Sequence, residues 1–405
     1  MSRFKAIIFH IRISMGHERA AEALSAAFAR RLGADAEVHL VEAMEFSSGW
    51  LAPAVCRTYL SMVKYAPAVW DYLYDDPKAP RTGDPFLRQA ARFSRKKFMD
   101  LMSDTRPDAV VCTQAIPAWI LSHLKSRGYR TSPGMSAPTY ASVTDYSIHR
   151  YWPSQGIDGY FVPSSRESAR LAEMGVPAEK IRSTGIPIHP EMADPVPAAE
   201  LESARARLGM VSGRPTVLLM GGSRGFGLTA NVMRELERLP IPLNILAPAG
   251  TNPRVFQAMR QWSAESNHRV ISMEYTSDIR TLYALSDLAI TKPGGLTLAE
   301  CLAVGLPMVI QHALPGQERH NLDYIRREGL GEIGLDAVDV AGRVQALLMD
   351  PARRANLRAR MKSHAQPDAA FSIVDHLLGN HPSRSDRPFP PAGESPAPVL
   401  ISRGH

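Results

Sequence analysis

The chain has 405 residues, 45% hydrophobic and 21% charged; at roughly 150 residues per domain this makes two or three globular domains and excludes a largely disordered chain. Lys and Arg outnumber Asp and Glu by 47 to 40, a net charge of +7 with neutral histidines, which favours anionic partners such as nucleotides, phospholipid headgroups or nucleic acid without choosing among them. Cys56, Cys112 and Cys301 are scattered with no paired spacing, which argues against a disulfide scaffold or a structural zinc site and fits a reducing cytoplasm.

The first apolar run, residues 6–9, follows a basic tip like that of a signal peptide. His10 and Arg12 cut the run and no small-residue cleavage site follows, so it reads as a buried first strand. No run approaches the roughly 18 apolar residues of a membrane span; the chain is expected to be soluble and, if it works on a membrane, to lie on the surface. Next comes ISMGHERAAEAL, which places Gly16 and His17 at the start of a helix over 18–32. The positive end of a helix dipole lowers a histidine pKa and keeps the ring neutral, as a general base requires. A lone histidine there is also a common cap or packing residue.

Residues 50–102 carry Trp50, Tyr59, Tyr65, Trp70, Tyr72 and Tyr74, then Arg88, Arg92, Arg95, Lys96 and Lys97 set among Phe86, Leu87, Phe93, Phe98 and Leu101, with no acid between Phe86 and Phe98. Two readings stand level: a basic amphipathic helix that docks on an anionic bilayer, with the phenylalanines inserting, or a solvated basic face whose apolar stripe packs on its own domain. No RRM, KH, zinc-finger or helix-turn-helix signature accompanies the charge, so nucleic acid is not an expected partner.

Strands are predicted over 109–112, 141–143 and 160–162, with helices over 115–127 and 166–174. Asp145 follows the second of these strands and projects at the C-terminal sheet edge, where α/β proteins bind ligands. It is the second catalytic candidate, orienting His17 or an acceptor hydroxyl. His149 and Trp152 follow within two turns; an indole suits a lipid interface, and an Asx turn with a core tryptophan is the plainer alternative. The proline-rich stretch IPIHPEMADPVPAAE then marks a boundary, giving domains over 1–195 and 196–365.

The second domain repeats the alternation, with strands over 216–220, 243–247, 288–290 and 308–310. Strand–helix alternation in both halves means two parallel sheets covered by helices. The loop MGGSRGFG misses the dinucleotide spacing, yet Gly221, Gly222 and Ser223 suit an anion and Arg224 adds charge; a tight packing turn is the alternative. In ITKPGGLTLAECLAVGLPMVIQHALPGQERHN, Pro293, Gly294 and Gly295 make a turn, and a helix begins at Leu296 and Thr297 with free N–H groups for a diphosphate. Glu300, one turn on, is placed to accept from both ribose hydroxyls. Gln317 and Glu318 open the next helix toward sugar hydroxyls, with Arg319 and Asn321 as weaker candidates. There is no HExxH or Walker A, and Asp75–Asp76 is not DxD, so neither a metal nor a cofactor is expected. A helix over 366–380 is expected to cross back to the first domain, ahead of a disordered proline-rich tail over 381–405.

KPGGLTLAE with PGQERHN resembles the donor site of glycosyltransferase family 28. VTDYSIHRYW, DGYFVPS and TGIPIHP are similar to bacterial processive diacylglycerol glucosyltransferases and plant monogalactosyldiacylglycerol synthases. The resemblance runs from about residue 5 to 375 and implies a GT-B fold, two Rossmann-like domains facing across a cleft. It also implies inverting transfer of a glucose or galactose from a UDP-sugar to diacylglycerol or a glycosyl-diacylglycerol, by a peripheral protein of the inner membrane face. By the same resemblance Met273, Glu274 and Tyr275 lie at the uracil, Glu300 binds the ribose, and Gly294, Gly295 and Ser223 hold the diphosphate. Gln317 and Glu318 take the hexose, His17 is the base, and Trp152 faces lipid. One departure stands out: the family's first loop is a glycine run before histidine, and here it reads Ser14, Met15, Gly16, His17. The alternatives are a transferase acting on another lipid-linked acceptor of the peptidoglycan-precursor type, a UDP-GlcNAc 2-epimerase, and a non-enzymatic UDP-sugar-binding scaffold.

Overall fold

The computed structural model describes residues 3–12, 15–46, 83–222, 230–311, 313, 316–380 and 399–400, with side chains omitted for 83–86 and 399–400. Two compact units emerge, Met1–Pro190 with Asp368–His405, and Glu191–Pro367.

The first unit is built on β1 (Phe4–His10), whose sequence FKAIIFH is buried along almost its whole length. Its side chains alternate between two cores. Ile7 and Phe9 join Phe98, Val110 and Leu121 on one face; Phe4, Ala6 and Ile8 join Leu24, Phe28 and Val111 on the other. A strand covered on both faces reads as a continuous apolar run, as parallel sheets require. The remaining strands are β2 (Ala36–Glu42), β3 (Ala109–Cys112), β4 (Thr139–Ser142), β5 (Gly159–Val162) and β6 (Ile181–Ser183). The helices are α1 (Met15–Leu32), α2 (Gly83–Thr105), α3 (Ala115–Ser126) and α4 (Ser165–Glu173). The chain runs outward from β1 to β2 and returns on the other side as β3, so that Phe9 lies between Val41 and Cys112. The loops leaving β1 and β3 therefore diverge at a topological switch point.

The second unit repeats the plan. Its helices are α5 (Ala198–Leu208), α6 (Ala230–Leu236), α7 (Pro253–Glu265), α8 (Ile279–Leu285), α9 (Gly295–Val304), α10 (Gln317–Glu328), α11 (Ala337–Met349) and α12 (Pro351–His364). From β7 (Thr216–Leu219) the sheet grows one way through β8 (Asn244–Pro248) and β9 (Arg269–Met273). It grows the other way through β10 (Leu288–Thr291), β11 (Met308–Ile310) and β12 (Glu332–Ile333). Among the described residues all its strand pairings are parallel, and its switch point lies between β7 and β10.

The last helix, α13 (Ala369–Gly379), packs in the first unit. Ala370, Ile373, Val374 and Leu377 enter the same core as Ile8 and Phe28. Arg31 of α1 donates to both carboxylate oxygens of Asp375 at 2.8 and 2.9 Å and lies 4.3 Å from the Phe371 ring centroid. The tail over 381–405 lies outside the described residues save for β13 (Val399–Leu400), a short parallel strand beside β2.

Candidate active site

His17 stands in the first turn of α1, at the switch point of the first sheet. Its Nδ1 is 2.8 Å from the backbone carbonyl of Thr113, the residue after β3. A carbonyl only accepts, so Nδ1 carries the hydrogen and Nε2 keeps the lone pair. The Thr144 hydroxyl oxygen, just past β4, lies 2.9 Å from the same nitrogen and accepts a share of that hydrogen. Thr113 Oγ1 in turn donates to the His17 carbonyl at 2.9 Å, fastening the helix start to β3. Burial lowers the His17 pKa below its usual 6.5, and the Asp145 carboxylate works against that. The result is a neutral imidazole with one nitrogen held and the other lone pair presented, the state a general base needs. Gly16 precedes it with partial exposure.

In the second unit the loops after β7 and β10 meet across the switch point. Gly222 has φ +75°, and a Cβ there would come within 2.5 Å of Lys292 Cε, so the lysine stem lies against bare backbone. The Lys292 ammonium pairs with the Glu318 carboxylate at the start of α10. Gly294 caps α9 without any side-chain hydrogen bond, which leaves the N–H groups of Gly295, Leu296 and Thr297 for an anion at the positive end of the helix. Glu300 is buried one turn in, and the Tyr283 hydroxyl donates to its Oε2 at 2.9 Å. Met273 ends β9, with Glu274 and Tyr275 exposed beyond it. A cavity of about 590 Å³ bordered by Arg280, Tyr283, Gly305 and Arg358 opens at the other, C-terminal end of α9, away from these loops.

Residues 17–188 match the family model for monogalactosyldiacylglycerol (MGDG) synthase, and residues 216–373 match the glycosyltransferase family 28 C-terminal domain. The second half of the chain thus matches the C-terminal domain of glycosyltransferase family 28. A processive diacylglycerol beta-glucosyltransferase of Bacillus cereus is 29% identical over 293 residues, 72% of this chain and 73% of that one. MurG of Acinetobacter baumannii superposes with a TM-score of 0.59 at 15% identity, covering 93% of this chain and 99% of that one. UDP-GlcNAc 2-epimerase of Neisseria meningitidis, bound to UDP-GlcNAc, gives a TM-score of 0.59 at 12% identity, covering 93% of this chain and all of that one. Likeness this distant speaks for the fold alone: the two Rossmann-like units are those of GT-B proteins.

Four of the residues that shape the loops escaped the sequence reading. Thr113 acts chiefly through its main chain and leaves no sequence signal. Thr144 sits inside the VTD motif beside Asp145. Lys292 directly precedes PGG, where a cation at a glycine turn was a readable signal. Tyr283 is 17 residues before Glu300 and reaches it only through the fold. Ser223 and Arg224 lie outside the described residues, as does the aromatic run Trp50–Tyr74.

Two expectations need correction, at Asn321 and Trp152, and the open choice between the two readings of α2 is decided at Phe98. Asn321 is fully buried and its amide donates to the Pro293 carbonyl at 3.0 Å; it fastens the PGG turn from below and presents nothing to a ligand. Trp152 is 3% exposed, inside the core with Ile148 and Tyr160, and its carbonyl accepts from the Tyr160 hydroxyl; the apolar ring is worth more there than at a lipid surface. His149 remains part-exposed beside it, with ring centroids 5.6 Å apart. Phe98 is likewise a core residue, stacked on Phe9 at 5.0 Å, because Leu87, Ala91, Ser94, Phe98 and Leu101 form the inward stripe of α2. Its outward face carries Arg88, Arg92 and Lys96 at four-residue spacing, with Phe93 50% exposed. Arg95 donates to the Tyr129 hydroxyl at 2.8 Å and Lys97 to the Glu45 carbonyl at 3.0 Å, so both are tied to their own domain. Among the described residues no helix is long and apolar enough to cross a membrane.

Proposed function

We propose that this chain transfers a glucose or galactose from a UDP-sugar to the free hydroxyl of diacylglycerol, with inversion to a β-glycoside. The observation that carries the chemistry is the His17 ring, neutral and held at Nδ1 by Thr113 and Thr144 with Nε2 presented. The acceptor rests on the diacylglycerol named in the relatives and on the family model that spans the His17 half of the chain.

In the proposed reaction Nε2 takes the proton of the lipid hydroxyl as its oxygen attacks the anomeric carbon. The bond from that carbon to the diphosphate oxygen breaks, and UDP leaves with the electron pair. The transition state is oxocarbenium-like, as in glycoside hydrolysis. Charge growing on the diphosphate is met by the bare N–H groups of α9, backed by the Lys292 ammonium. Glu300, oriented by Tyr283, takes the ribose; Gln317 and Glu318 take the hexose; Met273, Glu274 and Tyr275 take the uracil. The protein works at a membrane surface, where the outward face of α2 is the candidate docking element.

The test is to incubate the purified chain with UDP-glucose or UDP-galactose and, in separate reactions, diacylglycerol vesicles, a lipid-linked peptidoglycan precursor, and no lipid. Release of UDP only with diacylglycerol, together with a hexosyl-diacylglycerol by mass spectrometry, is expected. Turnover only on the precursor, or conversion of the UDP-sugar without any lipid, contradicts the reading.

A further inference from the structure

Gln311 follows β11 at the C-terminal edge of the second sheet, and its backbone N–H donates to the Thr291 carbonyl at 3.0 Å. Its side chain is anomalous. Both Oε1 and Nε2 are shielded from solvent, and neither has a hydrogen-bond partner among the described residues. A carboxamide offers two donor hydrogens and two acceptor lone pairs. Keeping such a group dry and unpaired costs stability that an apolar side chain of the same size does not cost, so the few that folded proteins retain call for a reason.

The position supplies one. On one side Gln311 neighbours the β10 end that carries Lys292 and the PGG turn; on the other lies Gly334, whose N–H donates to the Ile310 carbonyl at 2.9 Å. Six residues on, Gln317 opens α10. The diphosphate belongs at the N-terminus of α9, next to the β7–β10 switch point. β11 lies one strand further out, so the part of the donor above its end is the part beyond the diphosphate.

We propose that Gln311 is a specificity-determining residue that reads a hydroxyl of the transferred hexose. The proposal rests on the donor reading given above and extends it to a residue outside the Gln317–Glu318 pair. Gln311 as a whole is part-exposed, so a turn about its side-chain bonds brings the amide to a ligand at the sheet edge. A hydroxyl both donates and accepts, and either end of the amide matches it. A site built this way rejects a sugar that lacks the hydroxyl or directs it elsewhere, because the amide is then left unpaired again.

The test uses Gln311→Leu, which keeps the volume and removes the polar atoms, on the full chain. Three quantities are measured: ligand-free melting temperature, UDP affinity, and affinity for UDP-glucose, UDP-galactose and their monodeoxy analogues. The expected result is a melting temperature above the parent's and UDP affinity within about twofold. Affinity for the accepted UDP-hexose falls roughly 3- to 10-fold, the worth of one hydrogen bond. One deoxy analogue should bind parent and variant alike, because it lacks the hydroxyl that Gln311 reads. A lower melting temperature means the amide is satisfied within the fold and overturns the proposal. So does equal UDP-hexose affinity in parent and variant, or a loss shared equally by UDP and UDP-hexose. If the parent itself binds no UDP-hexose, it is the donor reading that fails.

Discussion

The chemistry available to His17 is decided by what its Nδ1 faces. With the Thr113 carbonyl there, the hydrogen has no other place to reside, and Nε2 is left as the basic atom. His17→Ala is therefore expected to lower turnover by roughly 10²–10⁴-fold, the usual worth of a general base, with UDP affinity unchanged by calorimetry. Asp145 acts on the ring by charge: its carboxylate raises a pKa that burial lowers. Replacing it by asparagine removes the raising influence, so the His17 pKa falls further. The acidic limb of kcat/KM against pH, already below 6.5, should move to lower pH, with a lower plateau from the weaker base. A limb that stays in place shows that Asp145 does not act through His17. Tyr283 stands behind Glu300 in the same way. Tyr283→Phe should weaken UDP binding by about 0.5–1.5 kcal/mol, and calorimetry with UDP reads it directly.

The elements that carry these residues were legible where their physics is local. β1, β3, β7 and β10 are buried on both faces, so each is built around an apolar run (residues 6–9, 109–112, 217–219 and 288–290), and the glycine turns that follow two of them announce helix starts. β2, β6, β9 and β12 were not singled out; β9 starts at exposed Arg269 and is buried only at Val270. β2 begins with half-exposed Ala36 and Glu37, β6 has Arg182 and Ser183 in solvent, and β12 is two residues long; outer positions in a sheet relax the apolar pattern. α2 was read correctly as amphipathic, but its faces were not assigned, because a stripe does not say what it packs on. The structure assigns Phe98 to the core through its stacking on Phe9. Phe98→Ala should cost about 3–5 kcal/mol in denaturant unfolding, as for a large aromatic truncated in a packed core. Replacing Arg88, Arg92 and Lys96 by glutamine should leave unfolding and UDP binding unchanged and reduce co-sedimentation with anionic vesicles at low salt. Near a charged bilayer each such residue contributes about 1 kcal/mol. Sedimentation equal to the parent's moves docking to another surface.

At the scale of the whole molecule, the proline-rich stretch marked the passage from one unit to the next, and the units divide within it, after Pro190. The place of α13 in the first unit, where a helix over 366–380 was expected to cross back, is held by contacts distant in sequence: the Arg31–Asp375 pair joins residues 344 apart. That junction also has a pH signature. Burial and the Arg182 cation beside it hold His376 down at about 4, and Arg182 Nε donates to its Nε2 at 3.3 Å, which requires the neutral ring. The folded state thus binds fewer protons at this site than the unfolded chain between pH 6.5 and about 4. The stabilisation His376 gives is complete above that window and lost as pH falls through it. A His376→Gln variant should flatten the dependence of unfolding midpoint on pH between 7 and 5, and an unchanged slope would remove His376 from that role. The claim on which the account turns is inverting transfer to diacylglycerol. It is tested most directly by proton NMR of the lipid formed from diacylglycerol and the α-linked UDP-hexose. A single β-anomeric hexosyl-diacylglycerol, its formation stopped by His17→Ala, is the expected result; an α-anomer, or undiminished formation by the His17 variant, would contradict it.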